Sequence, residues 1–318
     1  MSTIIDFQNV SKNFARRKAV DNVNLKIDSG EIFGLVGPNG AGKTTTMRML
    51  VTLLNPDHGE ILVGGYSVRK TPQEVRRQIG FMPDSFGVYG DMTVKEYLAF
   101  FAACYRIPSI NRPTLINDLL ELVDIPHRRD DMVDTLSTGL KQRLSLARVL
   151  IHDPSILVLD EPASGLDPRA RVEIRELLLE VSRLGKTILF SSHILADVAE
   201  LCTRVAIMEG GKLAALGTLD QLSEKAVPHR LIEIAILDRA EDAQIFLNTN
   251  PGVSAVRIQP ETGRNGRVTL SVDFNGDDAA LHELLASLLS EKFSVVHFSE
   301  ETQNLEEVFM RTTKGIIS

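Results

Sequence analysis

The run Gly37-Pro38-Asn39-Gly40-Ala41-Gly42-Lys43-Thr44 constrains this chain more than any other stretch. It follows the apolar segment Ile32-Phe33-Gly34-Leu35-Val36 and leads into a helical pattern over residues 45–54. That is a phosphate-binding loop in its strand–loop–helix setting. Gly37, Gly40 and Gly42 let the backbone turn its N–H groups inward, where side chains would intrude on phosphate oxygens. The helix behind the loop adds unsatisfied donors and the positive end of its dipole. Lys43 supplies a charge for the β- and γ-phosphates, and the Thr44 hydroxyl is placed to ligate Mg²⁺. A glycine-rich turn before an ordinary helix is the competing reading, and the matching flanks argue against it.

The segments around the loop read as an α/β domain. Residues 4–10 alternate apolar and polar as a strand, and Val23, Leu25 and Ile27 alternate as a second. Phe14 falls in the basic loop between them, one hairpin from the phosphate loop, where its ring can stack on adenine. Packing is the commoner fate of an exposed Phe. Residues 59–68 resemble a strand–turn–strand about Gly64-Gly65. Thr71-Pro72-Gln73-Glu74 starts a helix, with Thr71 as N-cap and Glu74 closing a capping box. A strand over 79–82 ends at Pro83-Asp84, and from 93 to about 152 the pattern is helical, broken by Pro108, Pro113 and Pro126. This predicts an all-helical insert over about 84–155.

The continuous apolar run Ile156-Leu157-Val158-Leu159 is what a strand buried on both faces requires, and it ends in Asp160-Glu161. An amphipathic helix over 169–184 and a strand over 187–190 come next, the strand ending at Ser191-Ser192-His193. Pro228 lies in a boundary segment, so residues 1–225 form the nucleotide domain and 226–318 a second one. The second reads strand (231–237), helix (240–248), strand (253–259), strand (268–274), helix (277–289), strand (293–299), the ferredoxin-like split order, with a last helix over 305–313. The fold class is therefore an α/β P-loop NTPase with a helical insert, followed by a small α+β ferredoxin-like domain. The second domain carries no catalytic constellation and reads as a regulatory or dimerisation module, or as a packing appendage.

Phosphoryl transfer to water needs Mg²⁺, a base for the water and charge stabilisation at the γ-phosphate. Asp160 ends its strand close to the phosphate loop and suits Mg²⁺ binding. Glu161, next along, reaches the attacking water as general base. His193, at the end of a neighbouring strand, is placed to donate to the γ-phosphate. Each alone reads best as a solvated strand-end residue; three strand ends converging on one loop favour the site.

Leu136-Ser137-Thr138-Gly139-Leu140-Lys141-Gln142-Arg143 resembles the signature motif of the ATP-binding-cassette ATPases, with Thr138 where the commonest form has Gly. With the phosphate loop, the Asp160-Glu161 strand, Ser164-Gly165-Leu166-Asp167 and His193, it gives five motifs in the family's order, over residues 4–222. The resemblance implies ATP and Mg²⁺ as cofactors and two cassettes paired head-to-tail, the signature of one completing the ATP site of the other. Carried onto this sequence, Phe14 and Gly37, Pro38, Asn39, Gly40, Ala41, Gly42, Lys43, Thr44 and Thr45 bind the nucleotide. Ser137, Thr138, Gly139 and Gln142 of the signature serve the opposite site, and Asp167 also binds nucleotide; Thr44, Asp160 and Asp84 hold the metal; Glu161, His193 and Lys43 act in catalysis. Physically, Ser137 suits an N-cap, and Gly139 permits close approach at a bare helix start. Asp84 departs from the family, which usually has Gln there; an ionised carboxylate only accepts hydrogen bonds and adds negative charge beside phosphates.

Composition limits the role. Lys+Arg of 35 against Asp+Glu of 42 gives a net charge of -7, which offers nucleic acid no footprint. Two cysteines fit a reducing compartment, the histidines show no metal-ligand spacing, and no signal peptide pattern opens the chain. The longest unbroken apolar run, residues 98–105, is far short of the ~20 that cross a membrane. The resemblance thus implies the ATPase subunit of a transporter, similar to drug- or antibiotic-type exporters. It would be cytoplasmic and peripheral on the inner membrane face, partnered by a separate integral membrane permease and by a second cassette. A soluble cassette ATPase without a membrane partner is the alternative. A P-loop kinase would lack the signature, and a non-catalytic module would not need Lys43, Asp160 and Glu161 together.

Overall fold

The computed structural model describes residues 2–15, 17–84, 87, 91–226, 230–259 and 267–300. The alternating N-terminal residues pair as long antiparallel strands, β1 (Thr3–Phe14) and β2 (Arg17–Asp28), with Phe7 opposite Leu25 and Phe14 opposite Arg17. Phe14 is thus the last residue of a strand rather than part of the loop after it. β3 (Ile32–Val36) is buried at every position and feeds the phosphate loop into α1 (Lys43–Leu50), shorter than the pattern over 45–54 suggests. β4 (His58–Val63) and β5 (Tyr66–Ser67) join the first pair in a sheet of order β2-β1-β4-β5. α2 (Pro72–Gln78) and β6 (Ile79–Met82) lead to the helical insert of α3 (Val94–Cys104), α4 (Arg112–Leu122) and α5 (Thr138–Leu150).

The chain then returns to the sheet through β7 (Ile156–Leu159), α6 (Pro168–Arg183), β8 (Thr187–Ser192), α7 (Leu195–Leu201), β9 (Arg204–Glu209) and β10 (Lys212–Gly217). The second sheet has the order β10-β9-β3-β8-β7-β6, parallel except for the β9–β10 hairpin. One core joins both sheets. Met47, Met49 and Leu50 of α1 pack in it with Ile5, Phe7 and Leu25 of the first sheet and Phe33, Leu35, Val158 and Ala206 of the second. Full burial of each such side chain is worth roughly 1.5–3 kcal/mol, so the helix behind the phosphate loop is anchored on two sides.

Two local expectations are corrected. Thr71 makes no side-chain cap; its hydroxyl donates to the Ser67 carbonyl (3.2 Å), while Glu74 pairs with Arg77 (2.8 Å). The capping box sits instead at Thr93 and Glu96, opening α3. Pro113 does not break a helix; it lies in the first turn of α4, where its missing N–H has no intrahelical partner to lose.

The chain divides into two compact units at Leu219/Asp220, at the start of α8 (Leu219–Ala226), whereas the sequence boundary at 225/226 falls at that helix's far end. The second unit contains β11 (Arg230–Ile236), α9 (Ala240–Asn248), β12 (Val253–Ile258), β13 (Val268–Phe274), α10 (Asp278–Ser290) and β14 (Val295–Glu300). Its antiparallel sheet has the order β12-β13-β11-β14. Ile232, Ile234, Leu270, Val272 and Phe274 form its core with Ala243 and Leu247 of α9 and Leu284 and Leu288 of α10. This is the split βαββαβ arrangement. The helix expected over 305–313 lies outside the described residues.

Candidate active site

Register brings the chemistry together. Val36 lies opposite Ser192, Leu159 opposite Phe190, and Met82 opposite Leu159, so β3, β8, β7 and β6 end at nearly one level. The residues just beyond these strands line one cavity of about 560 Å³: Asn39 to Thr45 after β3, Glu161 and Ser164 after β7, His193 after β8, Asp84 after β6. Such a crevice beyond the carboxyl ends of parallel strands is where open α/β sheets bind ligands.

The loop is tight because it must be. A Cβ on Gly37 would stand 2.4 Å from the Met208 carbonyl oxygen, and one on Gly42 equally close to that of Ala19. Gly42 also has φ 106°, a conformation that side chains resist. Lys43 is buried, with Nζ donating to the carbonyls of Gly37 (2.7 Å) and Pro38 (3.3 Å). The ammonium also lies 3.5 Å from Glu161 Oε1, while Glu161 Oε2 accepts a 2.6 Å hydrogen bond from His193 Nδ1. Lys43, Glu161 and His193 therefore form one line of contacts. Gly37 and Pro38 contribute carbonyls to that line rather than cavity wall.

Glu161 has φ 53°, the left-handed region, which costs a non-glycine residue about 1–3 kcal/mol and turns the chain sharply out of β7. Ser191 holds the turn. Its Oγ donates to Asp160 Oδ1 (2.6 Å) and accepts the Glu161 N–H (3.0 Å), an arrangement set up by the in-register pairing of β7 with β8. Asp160 is itself buried, and no cluster of three or more metal-ligating side chains exists among the described residues. Thr44 and Asp84 line the cavity, and oxygen donors of their kind suit a hard cation. Phe14 lines the same cavity with Arg17 and Ala19; Arg17 Nη2 donates to the Gly40 carbonyl (3.0 Å).

The signature residues lie elsewhere. Ser137 caps α5, accepting the Leu140 N–H at 3.4 Å, and Ser137, Thr138, Gly139 and Asp167 line a separate cavity of about 580 Å³. Asp167 caps α6 through the Ala170 N–H (2.9 Å). A Cβ on Gly139 would meet Ala170 at 3.6 Å and Leu166 at 3.9 Å, ordinary contacts, so this chain's own packing does not demand glycine there. Gln142, expected at the opposite site, is buried and lines neither of these two cavities of the single chain. Arg143, to which sequence reasoning assigns no role, is buried and ties three segments. It donates to the Val123 carbonyl (3.0 Å), pairs with Asp124 (3.1 Å) and pairs with Glu173 of α6 (2.7 Å).

Comparison with known proteins matches this geometry. Residues 20–164 match the family described as ABC transporter, and residues 217–313 match the C-terminal domain of ATP-binding proteins like DrrA1-3. The Nod factor export ATP-binding protein I of Burkholderia pseudomallei is 40% identical over 230 residues, covering 72% of this chain and 76% of that protein. The chain belongs to the ATP-binding-cassette ATPases. The bacitracin transport ATP-binding protein BcrA of Bacillus licheniformis is 34% identical across 87% of this chain and 92% of that one. The linearmycin resistance ATP-binding protein LnrL of Bacillus subtilis is 29% identical across 98% of both. Among solved structures, cbiO1 from Clostridium perfringens, part of the transporter complex cbiONQ, aligns with TM-score 0.66 at 28% identity over 71% of this chain and 92% of that one. The dimeric cassette MJ0796 bound to ADP and Pi aligns with TM-score 0.62 at 25% identity, over 68% and 99%. As a cassette ATPase the chain binds and hydrolyses ATP, and its architecture is that of exporter-type ATP-binding subunits.

Ser191 generates a prediction. Ser191→Ala leaves the buried Asp160 carboxylate one donor short and should cost about 1–3 kcal/mol of stability. With the Glu161 turn loosened, kcat for ATP hydrolysis should fall roughly 10–100-fold. Titration calorimetry should show ATP affinity close to wild type, since no phosphate-loop contact changes.

Proposed function

We propose that this cassette powers a separate integral membrane permease, exporting a substrate, and that it hydrolyses ATP only in a head-to-tail pair. One observation carries the reading: Ser137, Thr138, Gly139 and Asp167 line a cavity apart from the one lined by Lys43, Glu161 and His193. The chain thus holds two half-sites that a second copy or a homologous cassette would join. The open surroundings of Gly139 support this, since a glycine without an internal reason suits close approach by a ligand held elsewhere.

Each residue then has a role. The loop from Gly37 to Thr45 wraps the phosphates, and Lys43 exchanges its carbonyl partners for phosphate oxygens. Phe14 stacks on the base. Glu161 accepts the proton of the attacking water, and His193 orients Glu161 through the 2.6 Å hydrogen bond and lies at the cavity where the γ-phosphate would stand. Thr44 and Asp84, with Asp160 behind them, would hold Mg²⁺, which when bound neutralises phosphate charge. Asp84 in place of a neutral Gln ties its own negative charge to that cation.

The membrane partner has a matching surface. No helix among the described residues is long and apolar enough to cross a membrane. Yet Leu53, Phe81, Pro83, Phe101 and Tyr105 line an apolar groove flanked by Arg48 and Arg148, with Leu53 66% exposed. His152 stacks on the groove's Tyr105 at 4.1 Å, and burial holds its imidazole below the ordinary range. Pro83 lines the groove while Asp84, its neighbour, lines the nucleotide cavity, so one short segment touches both. A permease segment seated here would feel the nucleotide state, which favours a coupled transporter over a soluble cassette ATPase. The names of the relatives, with their resistance, transport and export roles, support the exporter direction.

The reading makes two kinds of outcome measurable. Glu161→Gln keeps the hydrogen bonding but removes the proton acceptor, so hydrolysis should fall roughly 10²–10⁴-fold while an ATP-bound dimer persists in size-exclusion chromatography. Adding Ser137→Arg should return the protein to monomer with ATP still bound; a dimer from the double variant would refute the head-to-tail role of the signature. Separately, Leu53→Glu should abolish co-purification with a membrane subunit from detergent extracts and leave ATP affinity unchanged. Undiminished co-purification would remove the groove from the account.

A further inference from the structure

The base end of the nucleotide cavity rests on a single ring at the end of a strand. Phe14 is 49% exposed and closes β1, with the cavity beside it. A phenyl group in that position has several staggered orientations open to it, and only some present a face to a base. The residue that fixes it lies two positions back on the same strand, where side chains share a face. Lys12 Nζ stands over the Phe14 ring, 5.7 Å from its centroid, yet Lys12 does not itself line the cavity.

A lysine that could swing freely would hold nothing. Lys12 is instead pinned by Asp57 Oδ1 at 2.7 Å, and its side chain is only 14% exposed. Asp57 Oδ2 accepts the Asn13 N–H (2.7 Å) and Asn13 Nδ2 (3.4 Å), and the Asp57 N–H donates to the Ser11 carbonyl (2.9 Å). One residue from the loop after α1 thus grips three consecutive residues of β1. Those hydrogen bonds, led by the one from Lys12, hold the Asp57 carboxyl below the usual carboxylate range. Because α1 begins at Lys43, the element that carries the phosphate contacts leads directly into the anchor of the base contact.

We propose that Lys12 and Asp57 form a positioning pair that presents the Phe14 ring to the nucleotide base. The inference rests on the reading that Phe14 stacks on adenine. The ammonium attracts one face of the ring and reduces the orientations it samples, so less freedom is lost when a base arrives. It also draws π-density toward itself, which leaves the other face better matched to an electron-rich purine. The bland alternative is a surface ion pair that only steadies the hairpin, and such pairs contribute little.

Inorganic tripolyphosphate separates the two, because it engages the phosphate loop and has no base. Full-length Lys12→Leu and Asp57→Asn are titrated with ATP and with tripolyphosphate, each with Mg²⁺, by calorimetry. The pair predicts that ATP affinity falls about two- to fivefold in both variants, the range of an exposed cation–π contact. Tripolyphosphate affinity should stay at the wild-type value, which also certifies the folded loop. Equal losses for the two ligands, or no loss for ATP, would overturn the proposal. Phe14→Ala is the control for its foundation: ATP should weaken roughly tenfold with tripolyphosphate unmoved. If Phe14→Ala leaves ATP affinity intact, base stacking itself is wrong. If it weakens ATP while Lys12→Leu does not, the stacking stands and the positioning pair falls.

Discussion

The contact between the phosphate loop and the backbone carbonyls of Met208 and Ala19 sets the terms for the rest of this cassette. Those oxygens stand where side chains on Gly37 and Gly42 would be, so the loop is pressed against β9 and β2 with no room for a Cβ. The compression has a consequence for charge. Lys43 is buried, and its ammonium is satisfied by loop carbonyls and by Glu161, 3.5 Å away. A buried cation must find such partners or lose its charge. The loop therefore carries a positive centre already surrounded by oxygen, a geometry that phosphate oxygens can take over.

The same packing places the other reactive groups. Because β3, β8, β7 and β6 are in register, a polar residue just beyond each strand end falls into one crevice, and Ser191 lands beside Asp160 and the Glu161 N–H. The left-handed turn at Glu161 is a strained conformation held by these bonds. The helical insert works differently. Its signature face is held by the Ser137 cap and by Arg143, which ties α5 to Asp124 just beyond α4 and to Glu173 of α6, and it lines a cavity apart from the first.

Much of this is legible in the sequence, for identifiable reasons. The strand over 156–159 announces itself because full burial demands an unbroken apolar run, and the glycine loop because few other sequences make that turn. Lys43, Glu161, His193, Phe14 and Asp84 are legible because each stands next to such a marked strand or loop and ends at one cavity. The burial of Gln142 is not legible in its motif, because motif position does not say what packs against that turn of the helix. Thr71 misleads because a hydroxyl at a helix start has a choice of roles, and donation to the Ser67 carbonyl wins. Ser191, Arg17, Arg143 and the Lys12–Asp57 pair stay hidden because their partners are distant in sequence; Lys12 and Asp57 are 45 residues apart. Interactions of that kind leave no periodicity to read.

The central claim is that neither copy of the chain owns a complete site, and complementation between two inactive variants tests it most directly. Lys43→Ala destroys the phosphate side and keeps the signature; Ser137→Arg destroys the signature and keeps the phosphate side. Each purified alone should be inactive in a steady-state phosphate-release assay. Mixed in equal amounts, they form some mixed pairs in which one intact phosphate side meets one intact signature, and ATP hydrolysis should return. A mixture as inactive as its parts, or full activity from Ser137→Arg alone, would contradict the shared site.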